Sequence, residues 1–269
     1  VKTLLFLLFS FSVHCQELSM NAFEAQYFHA LNEARTNPAG FAQYLEDMRD
    51  NYKTKEDGTK IFLYKDAYGE NAFYQVEEGI SALNEAIEFL QAQEPLRPVK
   101  RLAELDMSSH VHLDDQIEGN FFGHYGSDKS APHQRIERFL FPLGTGENLE
   151  YSTTTARMKI IRLIIDDGFR DSEGNISRGH RDAIFTEDYR HVGVACDNYK
   201  KSRNILCVAN FSSHAFDLSL FELEENWPRL DTVVVDTLRS TTLKLPQDYE
   251  EIQKQLLLLK YHENLGKKQ

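Results

Sequence analysis

Apolar residues recur at helical spacing near the start of the chain, at Phe23, Tyr27, Ala30, Leu31 and Ala34. Thr36-Asn37-Pro38 ends that stripe, because the residue before a proline is pushed out of the α region. A second helix begins near Pro38, with Phe41, Tyr44, Leu45 and Met48 on its inner side. Residues 50–75 are polar, with Gly58, Gly69 and one short apolar patch, Ile61-Phe62-Leu63-Tyr64, and read as an insertion loop with at most one strand. Ile80, Leu83, Ile87 and Leu90 mark a third helix that stops before Pro95 and Pro98. A fourth spans 102–117 and is closed by Gly119 and Asn120, and residues 121–150 read as loop. Thr154 or Thr155 caps a fifth helix through Ile160, Ile161, Ile164 and Ile165, and Asp166-Asp167-Gly168 ends it.

After a connection over 178–189, period-2 alternation predicts a hairpin from 191 to 211 with a polar turn at 197–203. Alternation puts Val192, Val194 and Cys196 on one face, and Ile205, Cys207 and Ala209 on one face of the partner strand. Cys196 and Cys207 therefore suit a cross-strand disulfide, with two buried free thiols as the alternative. Further on, 216–221 and 232–235 read as strands. Tyr249, Ile252, Leu256 and Leu259 give an amphipathic helix after Pro246.

The chain has 269 residues, 41% of them hydrophobic, enough for one sizeable core with an appendage. Its net charge of −12 and lack of any Lys/Arg-rich window argue against a nucleic-acid partner. The apolar run at 4–13 is too short for a transmembrane segment. Behind Lys2 it fits the core of a signal peptide spanning 1–15, with cleavage after Cys15, so the protein is expected to be secreted.

Of ten histidines, the informative ones lie in three segments: Phe122-Gly-His124-Tyr-Gly-Ser-Asp128, Gly146-Glu147-Asn148 with no histidine of its own, and Ser177-Arg-Gly-His180-Arg181. Two imidazoles and one or two carboxylates, each beside a glycine that lets the backbone bend, could converge on one pocket and offer a divalent-cation site. No His-x-x-x-His pair or cysteine set marks a structural zinc. His110 and His112, two apart on a helix, point to different faces.

These segments carry a family resemblance. Leu31-Asn-Glu-Ala-Arg-Thr-Asn-Pro38, His112, the His124 run, Gly146-Glu147-Asn148, Leu163-Ile-Ile-Asp-Asp-Gly168, Arg178-Gly-His180-Arg181 and Val192-Gly-Val-Ala-Cys196 follow one another in the order of the CAP superfamily. That superfamily, also called SCP, comprises cysteine-rich secretory proteins, antigen 5 and pathogenesis-related class 1 proteins. The pattern is most similar to its bacterial-like and protist branch. The resemblance spans about 22–214 and implies an α+β fold: a three-layer α-β-α sandwich with a central, mostly antiparallel sheet. It leaves 215–269 as a C-terminal extension.

It also implies a cleft holding His124, Glu147, Asp166 and His180. Leu163 stands where the family usually has Trp, so Asp166 or its neighbour Asp167 must supply the second acid. In some members such a cleft binds Zn²⁺ or another divalent cation, here through His124 and His180; in others the same groups only bond to one another. No enzyme is expected, since no nucleophile stands out: Ser127 and Ser177 neighbour the two histidines without a Gly-x-Ser-x-Gly elbow. The leading expectation is a non-enzymatic extracellular protein binding a lipidic or small ligand, a divalent cation or an extracellular partner. One alternative is a metal-dependent hydrolase with Glu147 as general base, and another is a structural protein whose tetrad only stabilises the fold. Asn175-Ile-Ser177 and Asn210-Phe-Ser212 are candidate glycosylation sequons.

Overall fold

The computed structural model describes residues 20–140, 142–199 and 203–213. The expected signal peptide, the C-terminal extension, its two strands and its amphipathic helix lie outside the described residues. Helices α1 (Met20–Thr36) and α2 (Pro38–Glu46) meet at Asn37, whose side chain accepts a bond from the Gly40 N–H at 3.1 Å and caps α2. Helix α3 (Ile80–Ala92) follows the predicted stripe, and α4 (Ala103–Gly119) ends on Asn120 in the left-handed conformation, φ 54°. Helix α6 (Ala156–Ile165) is capped by Thr155 and terminated by Asp166, also left-handed at φ 51°.

The central sheet has the order β4-β6-β7-β5, from β4 (Lys100–Arg101), β6 (His191–Asn198), β7 (Ile205–Ser212) and β5 (Thr145–Ser152). Only β4 runs parallel to its neighbour. All eight residues of β7 are buried, because the strand is paired on both edges and covered on both faces. Cys207, Ala209 and Phe211 face the main core of α1, α2, α3 and α6, whereas Leu206 and Val208 face Leu113 of α4. Helices thus cover both faces, giving the three layers expected. Cys196 and Cys207 stand directly opposite each other and are joined by a disulfide.

Three segments read as loop are ordered elements. Residues 50–75 form a three-stranded antiparallel sheet, β1 (Tyr52–Thr54), β2 (Lys60–Lys65) and β3 (Asn71–Gln75), turned at Gly58 (φ 84°) and Gly69 (φ 83°). Its inner face carries Tyr52, Phe62, Tyr64 and Tyr74 in mutual ring contact, so the apolar signal is aromatic and broken by lysines. Segment 121–150 contains α5 (Pro132–Ile136) and the whole of β5 but Tyr151 and Ser152. Segment 178–189 contains α7 (Gly179–Phe185). Strand β5 escaped detection because its inward positions include Asn148, Glu150 and Ser152, which are buried on bonds rather than on apolar contact.

Two buried cations tie these layers together. Lys159 of α6 reaches Glu150, the Ser152 carbonyl at 3.1 Å and the Ile205 carbonyl at 2.7 Å, spanning edge strand β5 and its neighbour β7. Burial pushes the Glu150 carboxyl up, but the charges of Lys159 and Arg162 outweigh it and hold the group below its ordinary value. Arg35 at the end of α1 donates to the carbonyls of Ile184, Thr186, Arg97 and Tyr189. Burial, reinforced by Arg190, lowers its pKa to about 10.

Helix α4 lies close on the sheet at Gly193, where a Cβ would stand 2.0 Å from the Leu105 carbonyl carbon. Asp106 accepts from the Val194 N–H at 2.8 Å, and Ser109 donates to the Gly193 carbonyl at 3.1 Å. Gly193→Ala is therefore expected to lower unfolding free energy by about 3 kcal/mol or more in urea titration, since the clash is with backbone. Replacing both Cys196 and Cys207 by Ser should cost about 2–5 kcal/mol by the same measurement.

Candidate functional site

Strand β5 is the edge of the central sheet, and alternation turns its consecutive residues Glu147 and Asn148 to opposite faces. On the α4 side, Glu147 is held at 1% side-chain exposure. One carboxylate oxygen lies 2.9 Å from His124 Nδ1, and the other accepts from Arg135 Nη2 at 2.7 Å. Arg135, on α5, is itself buried and donates to the Ser130 carbonyl at 2.7 Å. The Asn210 amide, oriented to satisfy both its ends, donates to the same Glu147 oxygen at 3.0 Å and accepts from Ser108 Oγ at 3.1 Å. His112 is fully buried beside them, bonded to the Gly123 carbonyl at 2.9 Å, and burial pushes its imidazole below 6.5.

On the other side, Asn148 donates to the His180 carbonyl at 2.9 Å. His180 opens α7, and its Nδ1 lies 2.7 Å from Asp166 Oδ1 while its main-chain N–H donates to Asp166 Oδ2 at 3.0 Å. The imidazole packs edge-on against Phe169, centroids 4.5 Å apart. Asp167 faces away from this pair. It accepts from the N–H groups of Glu77, Glu78 and Gly79 at 2.8, 2.7 and 3.1 Å, where the negative charge suits the entry to α3. Of the two aspartates left open by sequence, Asp166 is the one that meets an imidazole.

The arginines of the Arg178-Gly-His180-Arg181 segment dock α7. Arg178 holds both oxygens of Glu78, at 2.8 and 2.9 Å, and the Asp166 carbonyl at 2.8 Å. That pairing holds the Glu78 carboxyl at about 2. Arg181 holds both oxygens of Glu85, at 2.6 and 2.5 Å, and the Ile164 carbonyl at 2.6 Å.

Beside His180 a cavity of about 330 Å³ opens along the edge of β5. Tyr52, Tyr74 and Val76 wall it from the insertion, Leu149 and Tyr151 from β5, and Phe169 from beyond α6. His124 is not part of its lining. The structure thus joins the four expected residues as two separate imidazole–carboxylate pairs, His124–Glu147 and His180–Asp166, the first at edge strand β5 and the second between the end of α6 and α7.

The remaining expected residues have defined partners. Among the described residues no three His, Cys, Asp or Glu side chains are grouped to hold a metal ion, and His124 and His180 each bond a different carboxylate. Glu147 has both oxygens engaged, Oε1 by His124 and Oε2 by the buried Arg135 guanidinium and the Asn210 amide. Ser127 and Ser177 donate their main-chain N–H to Asp115 and to the Phe169 carbonyl, and neither histidine is bonded to a serine hydroxyl among the described residues. Asn210 is fully buried, so a glycan there is incompatible with this packing, whereas Asn175 sits on an exposed turn. Sequence reasoning passed over Arg135, which no motif marks, and Asn148, which lay in the quoted Gly146-Glu147-Asn148 segment.

The lowered His112 pKa has a defined consequence for acid stability. As pH falls below 6.5 the unfolded chain takes up this proton before the folded one, so stability is full above that value and is lost below it. Thermal midpoints of wild type and His112→Gln should differ most at neutral pH, and the gap should narrow as pH falls from about 7 to about 5. A gap independent of pH would contradict this.

A family model described as the cysteine-rich secretory protein family, CAP, matches residues 28–211. No curated protein matches the chain. Solved structures resemble it distantly. An outer surface protein from Borrelia burgdorferi shares 15% identity, with 44% of this chain and 78% of that one covered and a TM-score of 0.36. An extracellular protein containing an SCP domain from Bacillus anthracis str. Ames gives 14%, 60%, 58% and 0.37. A cysteine-rich secretory protein from Staphylococcus aureus subsp. aureus Mu50 gives 12%, 68%, 61% and 0.32, so this chain spans about three fifths of the length of the latter two. The family match covers well over half of the sequence and includes the elements that carry both imidazole–carboxylate pairs, and the chain belongs to the CAP, or cysteine-rich secretory protein, family.

Proposed function

We propose that this protein is a secreted, non-catalytic binding protein whose cavity beside His180 takes a small lipidic ligand. The observation that carries the reading is a solvent-open cleft of about 330 Å³ in which the oriented His180 imidazole stands with Glu150, Arg162, Asp166 and Asp167 opposite an apolar wall. Asp166 engages Nδ1 of His180 and leaves Nε2 for a ligand. Tyr52, Tyr74, Val76, Leu149 and Phe169 offer an apolar wall for the body of such a molecule, in the size range of small-ligand sites. Secretion is supported by the family and by the 4–13 apolar run. Among the described residues no helix is long and apolar enough to cross a membrane.

A hydrolase is the weaker reading, because Glu147 is committed to Arg135 and His124. A purely structural tetrad is the other competitor, since both pairs also join loops to the sheet. Titration with cis-parinaric acid and with dehydroergosterol separates these readings. Saturable binding of either probe is expected, weakened about tenfold in His180→Ala through loss of one hydrogen bond, and blocked in Leu149→Trp by filling of the cavity. A folded wild type that binds neither probe, or binds both equally well in the two variants, would rule the cavity out as the site. Adding Zn²⁺ to the same samples should leave the affinity unchanged.

A further inference from the structure

The three-stranded insertion has a second face, and its composition is unlike that of the rest of the chain. Register pairs Lys53 with Ile61 and Ile61 with Gln75, Leu63 with Phe73, and Lys65 with Asn71, all on the side opposite Phe62 and Tyr74. Leu63 and Phe73 are adjacent and 39% and 58% exposed. Lys53, Lys55 and Lys65 surround them, all exposed, with Lys55 Nζ 4.5 Å from the centre of the Phe73 ring. No acid stands on this face in a protein of net charge −12. The nearby acids belong to the turns: Glu56 and Asp57 in one, where Asp57 accepts from the Thr59 N–H, and Asp66 and Glu70 in the other, where both pair with Arg203.

From this juxtaposition we infer that the outer face of β1–β3 docks on a lipid surface bearing anionic headgroups. Charge complementarity selects an anionic partner, because this face presents three lysines and no acid, the acids of the segment being confined to its two turns. The apolar centre selects a membrane over a soluble polyanion. Leu63 and Phe73 enter the headgroup boundary, and the long lysine side chains lie along them with their ammonium groups at phosphate level. Sheet geometry fixes this arrangement, since the inner faces of the same strands are anchored by Phe62 and Tyr74 against the core. The inference stands apart from the cavity beside His180 and does not depend on its occupancy.

Co-sedimentation of the full chain with phosphatidylcholine vesicles, with and without phosphatidylglycerol, tests it. Binding is expected only to the anionic vesicles and should fall at high salt. Lys53→Glu/Lys55→Glu/Lys65→Glu should weaken it about a hundredfold, and Leu63→Ser/Phe73→Ser about tenfold or more. Thermal midpoint and near-ultraviolet dichroism check that the variants fold. If either multiple variant does not fold, Lys55→Gln and Phe73→Ser singly carry the same comparison. Failure of wild type to bind anionic vesicles overturns the inference. So does equal binding to both vesicle types, or binding that heparin displaces and that Leu63→Ser/Phe73→Ser leaves unchanged, which marks a polyanion site instead.

Discussion

Four buried cations organise this domain. Arg35, Arg135, Lys159 and Arg181 are each at most 2% exposed. An unpaired buried charge is far too costly to persist, so each must collect its partners from whatever elements surround it. Lys159 draws on β5 and β7, Arg135 joins α5 to β5, Arg181 locks α7 on α3, and Arg35 gathers carbonyls from the exit of α7 and from Arg97. Removing any one head group would strand its acceptors. The irregular connections of the fold are therefore specified by charge as much as by apolar burial.

The candidate site inherits this plan. Among the described residues edge strand β5 has no paired strand on its outer side, and two consecutive residues use the space on its two faces. Glu147 is fastened by Arg135 and oriented toward His124, while Asn148 holds the α7 turn that presents His180. Each imidazole is held at Nδ1 by a different carboxylate, which fixes the orientation of its ring.

What could be read from the chain divides along physical lines. Helices α1, α2, α3, α4 and α6 were legible because apolar residues repeat at 3.6 spacing and end on capping groups such as Asn37, Thr155 and Asp166. The β6–β7 hairpin was legible because both strands are apolar and locally paired. Strand β5 was not, since its partner β7 lies some sixty positions away and its buried positions are polar. Helix α7 has only seven residues and rests on arginines, which a sequence reading assigns to the surface. The choice between Asp166 and Asp167 needed geometry, because only the left-handed turn at the end of α6 shows which carboxylate faces His180.

The Arg135–Glu147 contact also bears on how this fold could change over time. A carboxylate already at the edge of a cleft, next to an imidazole, would be a short step from a catalytic base if it were free. Here freedom requires losing Arg135, and that loss strands a buried negative charge in the middle of the layer packing. A descendant with this carboxylate freed would have to pass through a less stable ancestor or replace several neighbours together. The Arg135–Glu147 bond thus ties the chemistry open to this carboxylate to the stability of the layers around it.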